Sequence, residues 1–316
     1  MQRLYRGLAA LLFAWAASAA YALDSLTIIW PAPPGGGGDI YFRILGKVIT
    51  REFGLPVINL NVSGGGGSIG MQRMLNSKPD GSTLAGAWTG PISITPHTLG
   101  VPYQQSDYIP LMQFSSAPYA ICAAPDFPAR DGHELLDHLR KNPNRFTFGT
   151  DGPGGLGQLA ATRIFLASGI SQRDVPFKGA GESTVALAGR QVDLYVGTIP
   201  PIQKFLKSGM AKCLLVTSAQ RALALPDTTS LAEVGLQKEE SLLWRALFVP
   251  RATPASVIRE LEHMLEAAAR SPEGLKFMEE SGETLEIFKG QALAERLRSE
   301  YQLFAEVVKA LGMAKK

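Results

Sequence analysis

The run PAPPGGGGDIYFR at residues 31–43 constrains this chain more than any other stretch. Before it, residues 26–30 are β-branched and aromatic, the composition of a strand. After it, Ile40, Ile44, Leu45 and Val48 recur at helical spacing and stop near Gly54 and Pro56. Four glycines therefore fall where a strand hands over to a helix. The first amides of a helix lack intrahelical partners and carry partial positive charge. Without side chains around them, those amides form a cradle for a phosphate or a carboxylate.

The 316 residues are 46% apolar and 19% charged, which is the composition of a globular chain with material for one large or two ordinary cores. The first 22 residues have the pattern of a secretory leader: Arg3 and Arg6, a short apolar run over 8–17, and Ala20-Tyr21-Ala22 as a small-x-small cleavage site. The apolar run is too short for a stable anchor. The expected mature chain is exported, periplasmic and monomeric. Removing the two leader arginines from 31 basic residues leaves 29 against 28 acidic ones, a balance of +1. With no basic stripe, nothing points to nucleic acid. Cys122 and Cys213 leave two readings open, one disulfide or two buried thiols. The four histidines are scattered and no Cys-x-x-Cys occurs, so no metal site is expected.

Along the chain, strands are expected over 56–62, 82–87, 119–124, 146–149, 192–196 and 213–217. Helices are expected over 131–140, 158–167, 182–188 and 200–208. Residues 91–118, rich in proline and polar residues, are expected to wind over the surface. The alternation argues for α/β units with parallel strands, whose ligand loops lie at their carboxyl ends. The glycine clusters at 35–38, 64–67 and 152–157 fall at such ends. Late in the chain, Thr253-Pro254 opens a helix with Val257, Ile258, Leu261, Leu265 and Ala268 on one face. A final helix carries Leu293, Leu297, Phe304, Val307, Val308 and Leu311.

Two clusters match G-x-G-x-x-G, at Gly65 and at Gly152, which shows how little that pattern discriminates in a glycine-rich chain. The acidic residue expected about 20 positions beyond is not at a strand end. No cofactor is expected. Gly66-x-Ser68-x-Gly70 matches a nucleophile elbow, which makes a secreted serine esterase the rival reading. It would need a loop histidine, and His97 is the one candidate. What remains is a binding protein with backbone-lined anion cradles and no evident catalytic group.

These residues resemble the receptors of tripartite tricarboxylate transporters, the TctC or Bug family. The likeness runs through Pro31 to Asp39, through Asn61, Gly64, Gly66, Gly67, Ile69 and Gly70, and through Lys78 to Leu84. It continues in the loop 150–159, Val-Pro-Phe-Lys-Gly at 175–179, Gly189 to Asp193, Leu231 to Gly235, and Val249-Pro250 with Thr253-Pro254. The resemblance implies an α/β clam-shell of two lobes, of the type II periplasmic-binding-protein kind. Lobe one would hold residues 23–118 and 226–316, and lobe two 119–225. It implies a small carboxylate held between the lobes and delivered to membrane transporter subunits, or sensed for a signalling partner, without catalysis. The implied ligand contacts are Ala32, Pro34, Gly35, Gly36, Trp88, Thr89, Thr150, Gly152, Gly154, Gly155, Gly197 and Thr198. Asp39 is expected to cap its helix, and the cluster 64–67 to shape the lobe.

Departures from the family pattern bear on the ligand. Relatives that take amino acids carry an acid two residues after the position of Tyr195, and here Gly197 stands there. A ligand without an amino group is expected. Ala32 replaces a bulky aromatic, and Trp88 is either an indole face of the site or core packing. Thr150 and Gln158 stand where serine and histidine are common; both keep hydrogen bonding. A wider ligand, a di-, tri- or aromatic carboxylate, is implied.

Overall fold

The computed structural model describes residues 23–315 apart from 151, 153 and 178. The expected leader lies outside the described residues.

The chain opens with three parallel strands, each followed by a loop and a helical segment. β1 (Leu26–Trp30) leads to α1 (Gly37–Phe53), β2 (Val57–Asn61) to α2 (Ser68–Leu75), and β3 (Thr83–Ala87) to a π-turn at Gly90–Ile94 and a short α3 (Thr95–Thr98). β1 lies between β2 and β3 and is parallel to both. Every loop that follows these strands therefore emerges on one edge of the sheet.

Residues 91–118 wind over the surface only in their middle, where Leu99, Gly100, Pro102, Gln104, Ser106 and Asp107 are exposed. Ile92, Ser93, Ile94, Thr95 and Pro96 are buried, and β4 (Tyr108–Ala123) runs unbroken for 16 residues. Proline removes a ladder donor, and Pro110 sits where the register between β4 and its partner strand Leu242–Pro250 shifts, between Pro110 and Met112. β9 (Leu242–Pro250) had no counterpart in the sequence reading. Both its faces are covered, so its apolar residues show no alternation.

β4 belongs to both halves of the molecule. Tyr108–Pro118 pairs with β9, and Tyr119–Ala123 pairs with β7 (Leu194–Thr198). Beyond β7 lie β5 (Thr147–Thr150) and β6 (Arg173–Pro176), parallel to one another. β8 (Lys212–Val216) pairs antiparallel with the same end of β4. The result is one curled sheet that serves two lobes. In the first, β10 (Thr284–Lys289) adds to β4.

Each lobe is a sheet with helices on both faces. In the first lobe, Ile28, Leu247 and Val249 face α1, α8 (Ala255–Ala269) and α9 (Pro272–Ser281). Ile29, Ala246 and Phe248 face α2 and α10 (Gly290–Ala310). The period of two in a strand sends neighbours to opposite cores. In the second lobe, Ile121, Phe148 and Val196 meet α4 (Gly132–Lys141) and α5 (Leu156–Ala167). Cys122, Tyr195 and Val216 meet α6 (Ala180–Ala188) and α7 (Ile199–Lys207). Cys122 and Cys213 form a disulfide across paired positions of β4 and β8, which closes the question the sequence left open. This is the α/β clam-shell architecture.

The chain returns to the first lobe late. Leu231, with Val234 and Leu236 beside it, packs into the second core. Pairing with the first-lobe half of β4 begins at Leu242. Leu231, Val234 and Leu236 thus bring part of the segment 226–241, grouped with lobe one in the sequence reading, against the core that holds Ile121, Phe148 and Val196. At the crossing, the Thr217 hydroxyl accepts from the Tyr119 amide at 2.9 Å and donates to the Ser241 carbonyl at 2.6 Å. Arg163 on α5 is buried and donates to the carbonyls of Lys238 and Glu240 and to Ser241 Oγ. These bonds tie both crossings to the base of the second lobe.

Candidate functional site

A chamber of about 410 Å³ lies between the lobes. Its first-lobe wall is Gly66, Trp88, Gly90, Ile94, Thr95, Thr98 and Leu99. Its second-lobe wall is Gly152, Gly154, Gly155 and Leu156. Tyr119 supplies the floor where β4 crosses, and Met313 a further side. No acid, lysine, arginine or histidine is among these described residues.

The second-lobe wall follows from local sequence. β5 ends at Thr150, and α5 starts at Leu156 with Gly155 as its N-cap. The first amides of a helix have no partner within it, and no side chain caps this one. Gly154 sits at φ +71°, which only glycine adopts without strain. Its amide donates to Gln158 Oε1 at 2.6 Å, and Gln158 Nε2 donates to Asp174 Oδ2 at 2.6 Å. Thr150 Oγ1 donates to the other Asp174 oxygen at 3.0 Å. Asp174 thus fixes the glycine loop from below, through Gln158 and Thr150, without lining the chamber.

The first lobe repeats this device. The buried Asp39 accepts from the Gly35 amide at 2.9 Å and from Arg43 Nε at 2.9 Å. Arg43 also donates to Asn61, whose Nδ2 reaches the Ala32 carbonyl. Burial pushes the Asp39 carboxyl up, but the Gly35 amide, Asn61 and Arg43 together hold it below the usual carboxylate range. Asp39 therefore pins the loop ahead of the helix, reaching back past the N-cap position at Gly36.

The sequence-selected residues divide into two groups. Trp88, Gly152, Gly154 and Gly155 line the chamber. Ala32, Pro34, Gly35 and Gly36 form the pinned loop of the first lobe, with Pro34, Gly35 and Gly36 exposed. Thr89 is buried and donates to the Leu242 carbonyl. Thr150 is buried on Asp174. Gly197 lies in β7 beneath Tyr195, whose hydroxyl occupies the space a Cβ there would take. The same hydroxyl donates to the Thr198 carbonyl at 2.7 Å. Trp88 lines the chamber, and its ring also packs 5.1 Å from Trp30.

Sequence reading missed Gly66, Gly90, Ile94, Thr95, Thr98, Leu99, Tyr119, Leu156 and Met313 as chamber residues. Gly66 had a signal, the second glycine cluster. At φ +61° it brings its carbonyl within 3.2 Å of Thr95 Oγ1, and a Cβ there would stand 2.8 Å from that oxygen. Ile94, Thr95, Thr98 and Leu99 had none, because residues 91–118 were read as surface.

His97 does not serve Ser68. Its Nε2 donates to the Tyr301 carbonyl at 2.9 Å, and its ring packs on Tyr301. Burial holds its imidazole below the usual histidine range.

A family model described as tripartite tricarboxylate transporter family receptor matches residues 41–313. A UPF0065 protein of Bordetella pertussis is 30% identical over 285 residues, covering 88% of each chain. The solved structure of the periplasmic binding protein BugD superposes with a TM-score of 0.73 at 27% identity, over 92% of this chain and 99% of that one. The R. palustris protein Rpa4515, solved with adipate, superposes with a TM-score of 0.77 at 23% identity, over 92% and 98% of the two chains. At that identity the last likeness is one of fold.

Proposed function

The chain belongs to the tripartite tricarboxylate transporter receptor family, and from that premise we propose that it captures a small carboxylate between its lobes for uptake by membrane transporter subunits. One observation carries this reading: the chamber is bounded by glycine loops and a helix N-terminus, and its described lining holds no charged side chain. An anion there would be held by backbone amides, as helix N-termini hold carboxylates and phosphates. Trp88, Ile94, Leu99 and Leu156 offer apolar surface to the rest of the molecule. Gly197 stands where relatives that take amino acids carry an acid to pair the ammonium, so amino acids are disfavoured. The adipate held by the R. palustris protein is of the class that fits.

Binding works by population shift. A ligand that touches Trp88 and Thr95 on one lobe and Gly152, Gly154, Gly155 and Leu156 on the other gains both sets of contacts only when the lobes close. The closed pair is the form a transporter would recognise. The protein acts as a receptor and performs no chemistry on the ligand.

The test is calorimetric titration and thermal shift against aliphatic dicarboxylates, tricarboxylates, aromatic acids and acidic amino acids. At a hundred times Kd, a ligand adds about 2.7 kcal/mol, or about 4 °C for a chain of this size. A response to aspartate or glutamate alone refutes the exclusion of amino acids. Silence across the panel refutes the carboxylate reading. Export is tested separately: residues 1–22 are the proposed leader, so the periplasmic protein should begin at Leu23.

A further inference from the structure

The C-terminus folds back onto the chamber. α10 ends at Ala310, and Gly312, at φ +66°, turns the chain. The Met313 amide then donates to the Val308 carbonyl at 3.0 Å, and the Lys315 amide to the His97 carbonyl at 2.9 Å. The tail is thereby bonded to α10 and α3, both in the first lobe. Its one large apolar side chain reaches the other lobe. Met313 lines the chamber, and its methyl carbon stands 3.3 Å from where a Cβ on Gly154 would lie. Leu156, Phe304 and Leu311 pack in the same junctional cluster.

Resting on the carboxylate reading above, we infer that Met313 is a specificity-determining residue of the chamber. The Gly154 and Gly155 amides are taken by Gln158 Oε1 and the Gly152 carbonyl, so the amides at the head of α5, from Leu156 on, form the polar pole, and the Met313 side chain lies beside it against Gly154. When a carboxylate sits on those amides, the carbon next to it faces the thioether. A methyl-sulfur surface offers no useful donor and only a weak acceptor. A hydroxyl or ammonium on that carbon would leave water without gaining a partner there. The chamber therefore selects acids whose α-carbon is unsubstituted. The selection comes from a tail outside the glycine loops.

The experiment is calorimetric titration of two acid pairs that differ by one oxygen, adipate against 2-hydroxyadipate and succinate against malate. It is done with the wild-type protein, Met313→Leu and Met313→Ser. The wild type should prefer the unsubstituted acids by about tenfold, the scale of an unpaired buried hydroxyl. Met313→Leu should keep that ratio, because it keeps the apolar surface. Met313→Ser should narrow it to about threefold or less, the ratio being taken within each variant so that a change in unliganded stability cancels. A serine variant with the wild-type ratio, or a wild type that prefers the hydroxy acids, overturns this inference and leaves the receptor reading intact. A wild type that binds none of the four acids overturns the carboxylate reading, and this inference with it.

Discussion

Reducing the Cys122–Cys213 bond should cost the protein several degrees of melting temperature. The bond joins β4 to β8, and its cysteines are 91 residues apart in sequence. In the chain-entropy picture, opening a loop of that length returns about 4–5 kcal/mol of freedom to the unfolded state. Unfolding about 290 residues carries an entropy of about 0.6 kcal/mol/K, so the melting temperature should fall by about 7 °C. The drop should be larger if the second lobe melts by itself, because the same energy is then divided by a smaller entropy. The assay is scanning calorimetry of oxidised and reduced samples, with thiols counted in denaturant before and after reduction. A Cys122→Ala, Cys213→Ala variant should melt with the reduced protein. Unchanged melting with two thiols titrated only after reduction would refute the entropic argument. Two thiols titrated before reduction would refute the bond itself.

Three further perturbations probe the groups that hold the site in place. The Glu300 carboxylate accepts from Ser93 Oγ and Trp244 Nε1, and burial, opposed by those bonds, raises it above the usual carboxylate range. A raised acid contributes stability below its unfolded pKa and loses it as pH rises through the native value. Glu300→Gln, whose amide can serve both partners, should therefore gain on the wild type in urea melts as pH rises above the ordinary glutamate range, and a pH-independent difference would count against this. Asp39 has the opposite sign: its lowered carboxyl contributes stability above its unfolded value, near the ordinary aspartate range, and loses it as pH falls through the native one. Asp39→Asn should cost about 1 kcal/mol at pH 7, and the gap should close in an acid titration. Arg163→Met should cost about 3 kcal/mol, because it leaves Glu239 and the carbonyls of Lys238 and Glu240 without their donor, and a urea midpoint within error of wild type would refute the bracing role.

The local order was legible because it is written in local chemistry. Residues 26–30 read as a strand and are β1, since β-branched and aromatic residues suit a pleated, buried surface. Asp131 read as a cap, and its side chain accepts from the Glu134 amide. The strand–glycine–helix handovers at 35–38 and 152–157 stand where the pattern put them. The two ends of residues 91–118 failed because proline content was weighed as surface, while the pairing of β9 and the shifts in register that admit Pro110 are non-local. β9 itself was hidden because a strand buried on both faces has no alternation to read.

What the sequence determined alone is the α/β class, the family, and the loops that end in helix-head amides, because glycine and helix start signals act over a few residues. What only the tertiary structure decided is which of those loops meet. Trp88, Gly66 and Thr95 come to face Gly152, Gly154, Gly155 and Leu156 through a single strand that serves both lobes, and Met313 arrives from near the end of the chain. Contacts between residues so far apart in the chain depend on how the sheet curls and where the tail turns, and no spacing of residues along the chain records that.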